Sequence, residues 1–407
     1  MTPESPSFLV GHAPLDPVTD AEPIRDFDTG YRPAPRLTVP VTGAWREGDD
    51  PGEREFADIG PLELELGGRL PAVRLAYETW GSLDADASNA VLLCHALTGD
   101  SHATSRSGED GWWNDVVGPG LAIDTDRYFV VCPNVLGGCQ GSTGPASPAP
   151  DGAPWGPRFP EITIRDMCAA EAKLADLFGI SRWAMVAGAS FGGSRVMEWG
   201  ATYPERVGSI AVLVAGPAST AEQVAYAHFQ ICAIQGDPKW RAGNYYDAPE
   251  DDGPSQGLGL AREIAHLSYR CASELDTRFG RSPQRGEDPL HGGRFAVQSY
   301  LDYHAHKLAL RFDANSYLTI SRAFITHDIG RGRGGVDAVL AGMGMPALVV
   351  AVDSDRLFYP ADMRRLADAL PGATRVRTVR SRHGHDGFLV ENDQVSSIVS
   401  EFLASLD

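Results

Sequence analysis

Ser190 sits at the centre of Gly188-Ala189-Ser190-Phe191-Gly192, a G-x-S-x-G match. A serine hydroxyl becomes a useful nucleophile only when a neighbouring base takes its proton and donors receive the oxyanion that forms. The residues around it suit that chemistry. Trp183 to Ala187 is a short apolar run that predicts a buried strand, and Ser194 to Ala201 predicts a helix. A strand, a tight glycine turn and a helix in that order hold the serine above the sheet, on a turn so sharp that its flanking residues must be small. The Phe191 N–H, at the helix start, then faces the oxyanion. Gly253-Pro254-Ser255-Gln256-Gly257 also matches the pattern, but an acidic, Pro-containing stretch precedes it, so it predicts a loop.

The base and its orienter should lie on loops after later strands, carboxylate first and histidine second. Ala347 to Val352 ends in Asp353-Ser354-Asp355, and Arg375 to Val379 ends in Arg380-Ser381-Arg382-His383-Gly384-His385-Asp386-Gly387. The residues alone leave Asp353 open against Asp355, and His383 against His385. The glycines on either side of His385-Asp386 favour His385, because a sharp loop there can turn it toward the serine. A second oxyanion donor is expected from His95-Ala96-Leu97-Thr98-Gly99, after an earlier strand, with the Leu97 N–H as the candidate.

The elements that must position these groups alternate. Leu62 to Leu66 and Val73 to Trp80 read as a hairpin about Gly67-Gly68. Ala90 to Cys94, Tyr128 to Cys132, Ile210 to Val214 and Ala347 to Val352 read as buried strands. Thr163 to Phe178, Ala361 to Leu370 and Gln394 to Leu406 read as helices, and Trp112 to Val117 as a short one. The pattern predicts an α/β protein with a mostly parallel central sheet and helices on both faces. It breaks between about 217 and 335, where Ala221 to Gln235, Gly257 to Leu275, Tyr300 to Asp313 and Ser316 to His327 read as helices. The expected organisation is a flexible N-terminal tail over 1–45, a core of 46–217 and 336–407, and a helical lid over 218–335.

The chain has 407 residues, a formal net charge of −19 and six scattered cysteines without a C-x-x-C pair. Such a charge disfavours nucleic-acid partners. The cysteine usage fits a reduced, cytoplasmic protein, with Cys94 and Cys132 in the core. No stretch is long and apolar enough to predict a membrane span, and the N-terminal residues do not read as a secretory signal.

The motifs YETWG (77–81), CHALTGDSH (94–102), NVLGGCQGSTGP (134–145), RFPEITIRDM (158–167), AGASFGG (187–193), DSDRLF (353–358) and GHDGFLVE (384–391) resemble the homoserine O-acetyltransferase family. The resemblance implies an α/β-hydrolase fold with a helical lid, a homodimer, no metal and no bound cofactor, with acetyl-CoA as co-substrate. It implies Ser190 as nucleophile, Asp355 as orienter and His385 as base. It also implies Arg262 for the carboxylate of L-homoserine, Asp386 for its ammonium, and Tyr269 beside them. The reaction implied is ping-pong transfer through an acetyl-Ser190 enzyme, in methionine biosynthesis. Phe191 and Gly387 depart from the family's more frequent Met and Ala, and Gly387 is expected to loosen the histidine loop. The same fold also admits a homoserine O-succinyltransferase, a serine or deacetylcephalosporin O-acetyltransferase, or a plain serine esterase. The run Gly330-Arg331-Gly332-Arg333-Gly334-Gly335 admits two readings, a contact to CoA phosphates or a surface hinge.

Overall fold

The computed structural model describes residues 39–105 and 111–406. Its strands are β1 (Glu55–Glu63), β2 (Arg69–Trp80), β3 (Ala90–Cys94), the short pair β4 (Val117–Gly118) and β5 (Ile123–Asp124), β6 (Phe129–Pro133), β7 (Met185–Ala189), β8 (Ile210–Leu213), β9 (Ala347–Val352) and β10 (Arg377–Val379). Its α-helices are α1 (Ile164–Phe178), α2 (Phe191–Thr202), α3 (Ala221–Gln235), α4 (Ser255–Tyr269), α5 (Ala272–Arg278), α6 (Ala296–Ala309), α7 (Ala314–Ile325), α8 (Val336–Gly342), α9 (Pro360–Ala369), α10 (Gly387–Val390) and α11 (Asn392–Ala404).

Eight strands form one sheet in the order β1-β2-β6-β3-β7-β8-β9-β10. The hairpin strand β2 pairs antiparallel with β6, and from β6 to β10 every neighbour is parallel. Every residue of β3, β6, β7, β8 and β9 is buried. That is why these strands read as unbroken apolar runs rather than alternating ones. Each fully buried Val or Leu there contributes roughly 1.5–3 kcal/mol of transfer free energy. Helix α1 is started by a capping box between Thr163 and Asp166 and stopped by Gly179 at φ 73°.

Between β8 and α8 the chain makes five helices, α3 to α7, in the region expected to be helical. One expected helix is two. The run over 257–275 breaks at Arg270, which is extended (φ −98°, ψ 148°). There Cys271 Sγ lies 2.8 Å from the Arg382 carbonyl, and the loop that carries His385 packs against the backbone of 269–271. Other differences are local. Trp112 to Val116 is a turn rather than a helix, and Val117 already belongs to β4; Gly118 and Pro119 stop the turn from continuing. Ser255 begins α4 instead of lying in a loop, and no strand precedes it. The expected tail over 1–38 lies outside the described residues, whereas 39–45 is packed: Thr42 bonds Asp313 at 2.8 Å, and the Gly43 N–H bonds the Phe312 carbonyl at 3.1 Å. Cys94 and Cys132 are core residues, as expected.

Candidate active site

Strand β7 delivers Ser190 at its carboxyl end, and α2 begins one residue later. Ser190 has φ 56° and ψ −125°, a conformation that costs a non-glycine residue about 1–3 kcal/mol. The surroundings impose it. A Cβ at Gly192 would lie 1.9 Å from the Cys94 carbonyl oxygen, and one at Gly188 would lie 2.7 Å from it. Glycine therefore lets the elbow nest against the end of β3.

Ser190 Oγ lies 2.8 Å from His385 Nε2, and His385 Nδ1 lies 2.7 Å from Asp355 Oδ2. Asp355 Oδ1 accepts from the Leu357 and Phe358 N–H groups at 2.8 and 3.0 Å, which fixes the carboxylate. This separates the alternatives the sequence left open. Asp353 instead accepts the Ser381 N–H at 2.9 Å and ties the two strand-end loops together. His383 turns away toward Glu274, 3.7 Å distant. Burial alone would lower the His385 pKa. The charge and hydrogen bond of Asp355, with Asp386 adding to them, outweigh burial and leave it raised above 6.5. The imidazole is packed between Phe358, Phe388 and Tyr269, with ring centroids 5.4–5.7 Å away. Gly387 does not loosen this loop. A Cβ there would meet Val352 Cγ1 at 2.7 Å and Ser381 Cβ at 2.9 Å, so the glycine lets the loop seat closely.

The first N–H groups of α2 have no intrahelical partner, which leaves the Phe191 N–H available beside Ser190. The Leu97 N–H makes no backbone hydrogen bond among the described residues. Leu97, Ser190 and Phe191 line one cavity of about 40 Å³, with Gln223, Tyr226 and Gln230 of α3, Tyr269 of α4 and Phe324 of α7 among its other walls. The loop carrying Leu97 is held from several sides. His95 Nδ1 lies 2.8 Å from the Ala96 carbonyl, and His95 Nε2 receives the Val135 N–H at 3.1 Å. Burial, with Arg195 nearby, lowers His95 to about 3, so it stays neutral. Arg195 is wholly buried, bonds the His95 carbonyl at 3.3 Å and pairs with Glu171 at 2.9 Å. Thr98 meets Arg262 at its hydroxyl (3.3 Å) and Arg311 at its carbonyl (2.8 Å).

Arg262 also lies over the Tyr269 ring at 5.6 Å. Asp386, next to the base, is partly buried, and that desolvation raises its pKa; Arg270, His385 and Arg262 oppose the rise. Its ion-pair partner is Arg270, at 3.2 Å. Sequence reasoning missed Arg270 and Arg195. Arg270 directly follows Tyr269, but its placement depends on the helix break after 269. Of the glycine-arginine run, Arg331 pairs with Glu65 at 3.0 Å and Arg333 with the buried Glu198 at 2.8 Å, so both guanidiniums tie the segment after α7 to α2 and the β1–β2 turn.

Two other features lie apart from this site. A cavity of about 570 Å³ against the β1–β2 edge is lined by Trp45, Arg74 and Thr143, without Ser190, Asp355 or His385. Glu53, Glu78 and His102 bring potential metal-ligand atoms within 4.8 Å of one another. Glu78 there already bonds Ser101 and His102, both at 2.8 Å.

A serine-histidine-aspartate relay on a strand-turn-helix elbow, in a mostly parallel sheet with inserted helices, defines the α/β-hydrolase class. A family model described as the alpha/beta hydrolase fold matches residues 89–390. A homoserine O-acetyltransferase of Thermobifida fusca is 58% identical over 371 residues, 90% of this chain and 98% of that protein. The chain belongs to the homoserine O-acetyltransferase family. Among solved structures, a homoserine O-acetyltransferase from Bacillus anthracis is similar at a TM-score of 0.79 and 27% identity, covering 86% of this chain and 97% of that one. The esterase E22 is similar at 0.79 and 26%, covering 86% of this chain and 99% of its own.

Proposed function

We propose that the protein transfers the acetyl group of acetyl-CoA to the hydroxyl of L-homoserine, a step of methionine biosynthesis, through an acetyl-Ser190 intermediate. The observation that carries the reading is the relay from Ser190 through His385 to Asp355, set between the acceptor candidates Arg262, Tyr269 and Asp386.

In the first half-reaction His385 takes the Ser190 proton while Oγ attacks the thioester carbonyl. The Leu97 and Phe191 N–H groups receive the oxyanion, and CoA leaves as its thiol after His385 returns the proton. In the second, His385 takes the proton of the homoserine hydroxyl, whose oxygen attacks the acetyl-serine; the acetyl–Oγ bond breaks, O-acetylhomoserine is released and His385 returns the proton to Ser190. Arg262 holds the acceptor's carboxylate and Asp386 its ammonium. Helices α3, α4 and α7 wall the cavity over Ser190, which limits water and favours transfer over hydrolysis. The cavity is small, and its lining residues carry no cation for a succinyl carboxylate, which supports acetyl over succinyl.

An esterase reading keeps the same relay, and the likeness to esterase E22 is its support. Thiol release separates the two: acetyl-CoA and succinyl-CoA are each offered with L-homoserine or L-serine. Release that depends on homoserine and acetyl-CoA is expected. Release indifferent to homoserine would favour the esterase.

The proposed homodimer is supported by apolar side chains left on the lid surface, Phe229 of α3, Leu260 and Leu267 of α4 and Tyr303 of α6, all at least 49% exposed. Among the described residues no helix is long and apolar enough to cross a membrane, and all six cysteines are free thiols. Both fit the proposed cytoplasmic location.

A further inference from the structure

The break between α4 and α5 places Arg270 where it touches two carboxylates. Nη2 is 3.2 Å from Asp386 Oδ2, and Nη1 is 3.5 Å from Glu274 Oε1. The side chains of Arg270, Glu274 and Asp386 are 13%, 6% and 17% exposed. The bridge is incompletely satisfied. Arg270 Nε, Glu274 Oε2, His383 Nδ1 and His266 Nδ1 are all buried without a hydrogen-bond partner. Buried polar atoms left unpaired can take a further partner, a water, an ion or a ligand group. Arg278 and His383 also face Glu274, at 3.6 and 3.7 Å, and the charge of Arg262 acts on Asp386.

An acceptor ammonium arriving at Asp386 therefore meets a carboxylate already paired. Two cations at one carboxylate repel, so the arriving ammonium competes with Arg270 for Asp386. Glu274 Oε2 is free to receive Arg270, which already reaches the other oxygen of that group. We infer that Arg270 is a positioning residue that sets the acceptor's KM through Asp386: it holds Asp386 until the acceptor's ammonium displaces it, and it then rests on Glu274. A hydroxyl compound without an amine leaves Arg270 on Asp386, so only an amine-bearing acceptor has Arg270 as a competitor. The inference rests on the proposed role of Asp386 in holding the ammonium.

The test is steady-state kinetics of Arg270→Gln, Arg270→Lys, Glu274→Gln and Asp386→Asn with L-homoserine. The mass of the acetyl-enzyme formed from acetyl-CoA alone certifies each variant as folded. Arg270→Gln removes the competing cation and lowers the homoserine KM by about five-fold. Glu274→Gln removes the second resting place and raises KM by about ten-fold. The double variant Arg270→Gln/Glu274→Gln returns to the Arg270→Gln value, because without Arg270 the second resting place is irrelevant. Arg270→Lys, which keeps a cation on Asp386, keeps KM at or above the wild-type value. A higher KM in Arg270→Gln overturns the inference, since Arg270 would then bind the acceptor or merely brace the loop. A Glu274→Gln enzyme with wild-type KM overturns it as well. Asp386→Asn with an unchanged KM would instead remove the assignment of Asp386 on which the inference rests.

Discussion

The two halves of the site are built differently. On the relay side every carboxylate oxygen has its partner: Asp355 receives two backbone N–H groups and the imidazole, and His385 is wedged among three rings. On the side proposed for the acceptor Arg270, Glu274, His383 and His266 carry buried atoms with no partner, and one guanidinium spans two carboxylates. The first arrangement suits a transition state, where groups must not reorganise while charge develops. The second suits ligand exchange, where the resting partners must be weak enough to give way.

Substitutions on the two sides should therefore separate cleanly in kinetics. The largest effect is expected from Ser190→Ala, which removes the nucleophile and lowers kcat by about 10⁶-fold, as loss of an equivalent serine does in another triad. Asp355→Asn keeps the shape but releases the imidazole tautomer, and lowers kcat by about 10⁴-fold. Arg262→Gln acts on the other side: it raises the homoserine KM by about 10²-fold through loss of a charged hydrogen bond, while acetyl-enzyme still forms. Equal losses of kcat in all three would erase the contrast.

A smaller effect is expected from pH. The His385 pKa is raised, and the base must be neutral, so kcat/KM falls as pH drops through a value above 6.5. Asp355→Asn removes the main cause of that rise and moves the limb to lower pH, which a pH–rate profile reads directly. Stability gives the smallest signal. His95 and His327 are buried and held near 3, so they gain protons only on unfolding. Their folded values lie below the unfolded one, hence stability is lost as pH falls below about 6.5, by about 1 kcal/mol per pH unit for each. Urea midpoints between pH 7 and 5 check this.

Legibility in the sequence follows the range of the interactions. The elbow is local: β7, the glycines and α2 occupy 18 consecutive positions, from Met185 to Thr202, and the buried strands β3, β6, β8 and β9 were visible as apolar runs, whereas β1 was not: it runs Glu55–Glu63, and only its end overlaps the strand expected over Leu62 to Leu66. The choice of His385 over His383 is not local. It depends on Glu274 drawing His383 away and on the Phe358, Phe388 and Tyr269 rings that close around His385. Arg270 was hidden for a related reason. The 257–275 stretch is helix-like throughout, and the break after Tyr269 comes from contact with the loop at 382–384, more than a hundred residues away. Arg195 reads as a surface helix arginine, yet its guanidinium is buried against Glu171 and the carbonyl that carries the Leu97 loop.

The central claim is that Ser190 carries the acetyl group between two bound molecules. Intact-protein mass after mixing with acetyl-CoA alone, followed by peptide mapping, tests it most directly. The account predicts a single acetyl adduct on the peptide containing Ser190, lost within one turnover when L-homoserine is added and never formed in Ser190→Ala. An adduct on another residue, or one that L-homoserine does not discharge, would contradict it.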